Sequence, residues 1–311
     1  MTILVTGGAG QLATALVQEG GEAIQRVGRP GFDFDHPDTI EATFRAAAPS
    51  LVVNAAAYTA VDAAEKDEAA AARANHHGPA ALARLCAASG IPFIHVSTDY
   101  VFDGNKGTPY VETDPTNPTG VYGATKLSGE QAVLEAHDRA IILRTSWVYS
   151  ATGKNFVRTM LGAAQKMDRL RVVGDQQGCP TSARDLAAAI LAVAARLRGG
   201  WRTEYAGIYH ASGDGSTTWH GLATAVFEAA RPLGHKIPIV DAIRTEDWPT
   251  PARRPPDSRL DCDKLARVFG VRQPAWQSSV ASVVSELLAP ARASAPAPAP
   301  AFAPASTRPR D

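Results

Sequence analysis

Five apolar runs, each closed by small or polar residues and most leading into a helical pattern, constrain the fold of this chain more than any other feature. The first, "TILVTG", ends in glycine and passes into "QLATALVQEG", a segment of helical spacing. "AIQRVG" is the second strand candidate and precedes the helix "HPDTIEATFRAAAP", which has Pro37 near its start. "SLVVNAAA" is the third, "IPFIHVSTD" the fourth and "AIILRTSWVY" the fifth. The stretch "VDAAEKDEAAAARANHHGPAALARLCAASG" between the third and fourth reads as helical. Strands that are apolar without alternation are buried on both faces, as in a parallel sheet wrapped by helices. The expected class is therefore α/β with a doubly wound parallel sheet over residues 1–150.

Beyond Tyr149 the pattern loosens. Helices are expected at "NFVRTMLGAAQKM", "SARDLAAAILAVAARL" and "TTWHGLATAVFEAARPLG", with short strands at "LRVV", "GIYHAS" and "PIVDAI". "DWPTPARRPPDSRLD" is too rich in proline for regular structure and reads as a shaped loop. Residues 151–289 are thus expected to form mainly a smaller C-terminal, substrate-binding lobe, with some segments returning to the first domain. Residues 290–311 alternate Ala and Pro, bury too little to order themselves and are expected to be a disordered tail.

Thirty-one basic residues balance thirty-one acidic ones, so the chain offers no general field to nucleic acid or to a membrane surface. Cys86, Cys179 and Cys262 are far apart and form no CxxC, which argues against a disulfide framework and for a reducing compartment. The N-terminus has no basic n-region and no apolar run approaches a bilayer's width, which points to the cytoplasm.

In "TILVTGGAGQLATAL", Gly7, Gly10 and Ala13 form GxxGxxA between a strand and a helix. Glycine lets the backbone approach a pyrophosphate, and the helix N-terminus supplies N–H donors, the design of a Rossmann-type NAD(P) site. About twenty residues further on, an acid would bind the adenosine ribose. Here the second strand ends in Gly28 and Arg29, and an arginine fork suits a 2′-phosphate. NADPH is the expected cofactor, with NADH second, and Asp33 and Phe34 are candidates to hold and cover the adenine.

The fourth strand closes with Ser97, Thr98 and Asp99, polar groups at the carboxyl edge where ligands bind in such sheets. Tyr122 and Lys126 lie one helical turn apart in "VYGATKLSGE". Hydride delivery to a carbonyl carbon leaves an alkoxide that needs a proton, which a tyrosine hydroxyl can give. A neighbouring ammonium would favour the phenolate and lower its pKa, and Thr98 can bond the same oxygen.

With these motifs the chain resembles the extended short-chain dehydrogenase/reductase family, over nearly everything before the tail. "NAAAYTAVDAAE", "STDYVFDG", "RTSWVY", "GCPTSARDLA" and "PTPARRPPDSRLD" carry the resemblance further, toward reductases of a dTDP-linked 4-keto sugar. It implies cofactor contacts at Gly10, Gln11, Leu12, Asp33, Phe34, Ala57, Tyr58 and Thr59. Tyr122 and Lys126 would serve cofactor and catalysis, and Thr98, Asp99 and Trp147 would touch the sugar. Arg253 and Arg254 are candidates to grip the diphosphate, with a structural salt bridge as the alternative.

Magnesium-linked dimers of the group carry a glutamate in the first helix where this chain has Ala15, so a monomer or weak homodimer without metal is expected. Two other functions share the fold. A dehydratase would carry Asp-Glu after the threonine, whereas Asp99 is followed by Tyr100. A non-catalytic subunit resembling the methionine adenosyltransferase β subunit need not keep Thr98, Tyr122 and Lys126. His76 and His77 read as surface residues, His95 as a satisfied core residue and "AEKDEAA" as a solvated helix face; His210 and His220 lack metal-ligand spacing.

Overall fold

The computed structural model describes residues 2–289, so the tail from 290 lies outside the described residues. The five apolar runs form β1 (Ile3–Thr6), β2 (Ile24–Arg26), β3 (Leu51–Asn54), β4 (Phe93–Thr98) and β5 (Ala140–Thr145). A sixth strand, Gly207–His210, joins β5, and the sheet order from that edge is Gly207–His210, β5, β4, β3, β1, β2. Every neighbouring pair is parallel. β1, β3 and β5 are buried along their whole length, as their unbroken apolar character requires. Each fully buried Val, Leu or Ile contributes about 1.5–3 kcal/mol, so these runs decide the sheet.

Helices cover both faces. Gln11–Gly20 and Ala183–Leu197 pack together over one side around Leu16, Leu186 and Ile190. Pro37–Ala47, Gly78–Ala88 and Val121–Ala136 cover the other around Phe44, Leu82 and Val133. From β1 the chain winds first to β2 on one side and then crosses to β3 on the other. The winding direction therefore reverses between β1 and β3, and a crevice opens there at the carboxyl ends.

A smaller group of elements follows. Arg169–Val173 pairs with Ile239–Ile243 in parallel, and helices Phe156–Lys166, Trp219–Ala230 and Trp276–Leu288 enclose Val157, Leu222, Val226 and Val280. Among the described residues no helix is long and apolar enough to cross a membrane.

Three details differ from the sequence reading. The fifth run breaks after Thr145: Trp147 takes a left-handed φ of 47°, and Val148–Tyr149 pairs instead with Thr181–Ser182. The indole fits because residue 178 is glycine, where a Cβ would lie 2.4 Å from the ring. The helical stretch after β3 divides into Val61–Ala64, Glu68–Ala72, a π-type turn at Arg73–His77 and Gly78–Ala88. "AEKDEAA" is accordingly a junction: residues 65–69 are exposed while Ala64 is buried, and the Asp67 carboxylate caps the second helix through the Ala70 amide at 3.1 Å. The helices Asp263–Phe269 and Trp276–Leu288 were not expected from the sequence.

Candidate active site

The crevice at the reversal point is a cleft of about 840 Å³. Its floor is the glycine turn. Gly7 has φ 110°, and a Cβ there would lie 3.0 Å from the Ala55 carbonyl oxygen. Gly8 and Gly28 press together so closely that a Cβ on Gly28 would meet the Gly8 Cα at 2.5 Å. Glycine at 28 therefore lets two backbone segments touch. The Gln11–Gly20 helix starts at Gly10 with no side-chain cap, so its first amides face the cleft without an internal competitor. This bare, glycine-lined helix start fits a dinucleotide pyrophosphate. Gln11 Oε1 accepts from Ser150 Oγ and Asn155 Nδ2, both at 2.9 Å, tying the turn to the loop beyond β5.

Of the residues singled out from the sequence, Gly7, Gly10, Gln11, Leu12, Arg29, Asp33, Phe34, Ala57, Tyr58 and Thr59 line this cleft. Thr98, Asp99, Tyr122, Lys126 and Trp147 line it as well. Arg254 stands apart from that lining: both terminal nitrogens pair with Asp62 at 2.8 Å, and Nη1 also donates to the Ala252 carbonyl. Arg29, with 68% of its side chain exposed, pairs with Asp33 and Asp35 at 2.9 Å each. Phe34 is buried, and its ring fills the space a side chain at Gly78 would need.

Thr98 ends β4 and donates to Asp99 Oδ1 at 3.0 Å, while Ser146 Oγ donates to Asp99 Oδ2 at 3.0 Å. Burial pushes the Asp99 carboxyl up to about 6, although hydrogen bonds from Ser258, Thr98 and Ser146 act against it. Burial also pushes the Tyr122 hydroxyl up to about 12; Thr98 pulls it down and the Asp99 charge pushes it up. The expectation that Lys126 lowers the phenol is therefore not what this geometry gives. The Lys126 ammonium donates to the Val96 carbonyl at 2.6 Å, and burial outweighs other influences at the phenol. The hydroxyl is kept protonated, the state a proton donor needs.

Several contributors escaped the sequence reading. Asn75, fully buried in the π-type turn, accepts from the Tyr58 amide at 2.8 Å and donates to the Tyr58 carbonyl at 3.2 Å. Trp219 stacks on Trp147 with centroids 3.6 Å apart and planes within 9°, forming one wall of the cleft. Glu65 accepts from the Val121 amide at the start of the helix bearing Tyr122. Ser146 and Glu65 lay in quoted motifs, "RTSWVY" and "NAAAYTAVDAAE", without being singled out; Asn75 and Trp219 are joined to the site by long-range folding alone. The Ala15 side chain is buried in the core beneath the Ala183–Leu197 helix. Among the described residues no group of three or more His, Cys, Asp or Glu could hold a metal ion.

Comparison with known proteins agrees with this geometry. The family described as the RmlD substrate binding domain matches residues 1–289. A dTDP-4-dehydrorhamnose reductase of Sinorhizobium fredii is 46% identical over 291 residues, 93% of this chain and 98% of that protein. Among solved structures, the dTDP-4-dehydrorhamnose reductase of Clostridium acetobutylicum superposes with a TM-score of 0.85 at 33% identity, over 92% of this chain and 99% of that one. That of Bacillus anthracis, in complex with NADP, gives 0.83 at 31% identity, over 92% of this chain and 100% of that one. By family match and by relatives spanning nearly its whole described length, the chain belongs to the RmlD family, that of the dTDP-4-dehydrorhamnose reductases.

Proposed function

We propose that this protein reduces the C4 keto group of dTDP-4-dehydro-β-L-rhamnose to give dTDP-β-L-rhamnose, a precursor for rhamnose-containing polysaccharide. The observation that carries the reading is the meeting of Thr98, Asp99, Tyr122 and Lys126 with the glycine turn in one cleft. A nicotinamide cofactor, when bound, supplies the hydride. The Gly7–Leu12 turn and helix start would hold its pyrophosphate, with Ala57, Tyr58 and Thr59 beside it. Tyr122 gives its hydroxyl proton to the C4 oxygen as the carbonyl carbon becomes tetrahedral, and Thr98 Oγ1 steadies the same oxygen. Asp99, fixed by Thr98 and Ser146, orients the sugar hydroxyls, and Trp147 backs the ring. Below its midpoint of about 8 Lys126 places positive charge under the site, and Arg254 holds its own loop in place through Asp62.

NADPH is the proposed preference over NADH because Arg29, three residues beyond β2, stands within the cleft lining. A monomer or weak homodimer without bridging magnesium is proposed, supported by the buried methyl of Ala15 where a ligand carboxylate would be needed. The test is NADPH oxidation with the dTDP-4-keto sugar, followed by NMR of the product. Reduction at C4 is expected. An unreduced product with altered stereochemistry or a new elimination would transfer the protein to an epimerase or dehydratase role, and no turnover would favour a non-catalytic one.

A further inference from the structure

A row of polar side chains crosses the middle of the sheet beneath Lys126. Thr6 on β1 is the register partner of Asn54 on β3, and Asn54 that of His95 on β4. All three are fully buried. Thr6 Oγ1 donates to Asn54 Oδ1 at 2.5 Å, and the Ala56 amide donates to the same oxygen at 3.3 Å. A backbone amide is only a donor, so the carbonyl end of Asn54 faces Thr6 and Ala56 and its NH₂ faces His95. Asn54 Nδ2 lies 2.9 Å from His95 Nδ1. An NH₂ cannot accept; Nδ1 must carry the lone pair, and the ring proton of neutral His95 sits on Nε2. Nε2 is 3.5 Å from Lys126 Nζ.

A neutral amine can accept that N–H, whereas an ammonium presents another donor to it. We infer that His95 is a positioning residue for Lys126: Thr6 and Asn54 fix its tautomer, and its Nε2–H favours the neutral amine over the ammonium. The surroundings agree. From β4, Lys126 meets His95 and the Val96 carbonyl; on its own helix stand Tyr122 and Glu130; Tyr58 and Asp99 line the same cleft. Burial lowers Lys126 to about 8, with the Glu130 charge opposing. Glu130 is itself engaged by Arg144 at 2.6 Å and Ser97 at 2.5 Å. Burial first, and then the Lys126 charge, keep His95 neutral. The inference rests on the reading of Lys126 as part of the acid–base set, and gives turnover a basic limb that His95 controls.

The test is NMR on the full chain without ligand. In protein labelled with ¹⁵N-histidine, with the His95 signals identified by their loss in His95→Gln, Nε2 should be protonated and Nδ1 bare from about pH 6 to about pH 9. A proton on Nδ1, or titration of the ring within that range, overturns the inference. The Lys126 Cε signal, identified by its loss in Lys126→Met, should titrate near 8. Asn54→Asp replaces the NH₂ with an acceptor, which should move the ring proton to Nδ1 and raise the Lys126 midpoint by about one pH unit or more. An unmoved midpoint in a folded Asn54→Asp overturns the inference; should that variant fail to fold, the wild-type tautomer decides. Both signals are read without turnover, so a failed reductase assay leaves this test intact.

Discussion

The amide of Val121 donates to Oε1 of Glu65 at 2.9 Å, across 56 residues of sequence. The helix Val121–Ala136 begins at Gly120, which has no side chain to cap it, and the distant carboxylate does so instead. Tyr122 stands in the capped turn.

Removing that cap should loosen the turn. Glu65→Ala is expected to cost about 1–2 kcal/mol of stability, the range for losing an N-cap, and to lower kcat several-fold. Glu65→Gln, which keeps an acceptor, should lose less of both. Gly120→Ala should mimic Glu65→Ala, because its Cβ would lie 2.7 Å from Glu65 Oε1. Urea unfolding and steady-state kinetics on the three variants measure this; a wild-type kcat in Glu65→Ala would mean the helix start holds itself.

Tyr122→Phe keeps the ring and its edge-on contact with Tyr100, at 5.5 Å between centroids, and deletes the proton donor. A general acid contributes roughly 10²–10⁴-fold, and kcat should fall by about that factor with cofactor affinity nearly unchanged. Fluorescence titration with NADPH and turnover of the keto sugar separate the two quantities. Normal turnover would remove Tyr122 from the mechanism.

Arg29 is shared between Asp33 and Asp35, and Asp35 also pairs with Arg73 at 2.6 Å. If Arg29 recognises a 2′-phosphate, Arg29→Ala should weaken NADPH by about 1.5–3 kcal/mol and leave NADH nearly unaffected. Asp35→Asn removes a competing carboxylate and should tighten NADPH. The measurement is kcat/KM for both cofactors; equal losses on Arg29→Ala would assign Arg29 to the loop's own structure.

Lys126 carries a cost that function must outweigh. Its value is lowered to about 8 in the folded chain against 10.5 ordinarily, so the unfolded chain binds the extra proton between those values. The penalty is complete below about 8 and fades as pH rises toward 10.5. Lys126→Met should therefore stabilise the protein near neutral pH, by up to about 3 kcal/mol, and lose that advantage in alkali. Unfolding curves at the two pH values check it. A variant no more stable than wild type near neutrality would show that the Val96 carbonyl compensates the buried charge.

The sheet was legible because burial on both faces demands long apolar runs, and β1, β3, β4 and β5 each announce themselves that way. The glycine turn and the Tyr122–Lys126 pair were legible because their spacing is local. Glu65, Asn75 and Trp219 were hidden for the opposite reason: each acts on a group brought near only by folding. The end of β5 misled because "SWVY" continues its apolar pattern; Trp147 leaves the strand to stack on an indole more than seventy positions away. Arg254 shows the limit of chemistry read by residue type, since the arginine fork that suits a diphosphate suits Asp62 equally.

The edge strand Gly207–His210 has a consequence for the ancestry of such enzymes. The chain leaves the large sheet after Thr145, returns with the helix Ala183–Leu197 and again with this strand, then departs once more for Ile239–Ile243. The smaller group of elements is thus woven through the large sheet and its helices. Gene fusion cannot exchange it as a cassette, as it can with domains strung in tandem, because no single cut separates the two. New sugar preferences in a lineage built this way must arise by point changes or loop insertions within an inherited whole.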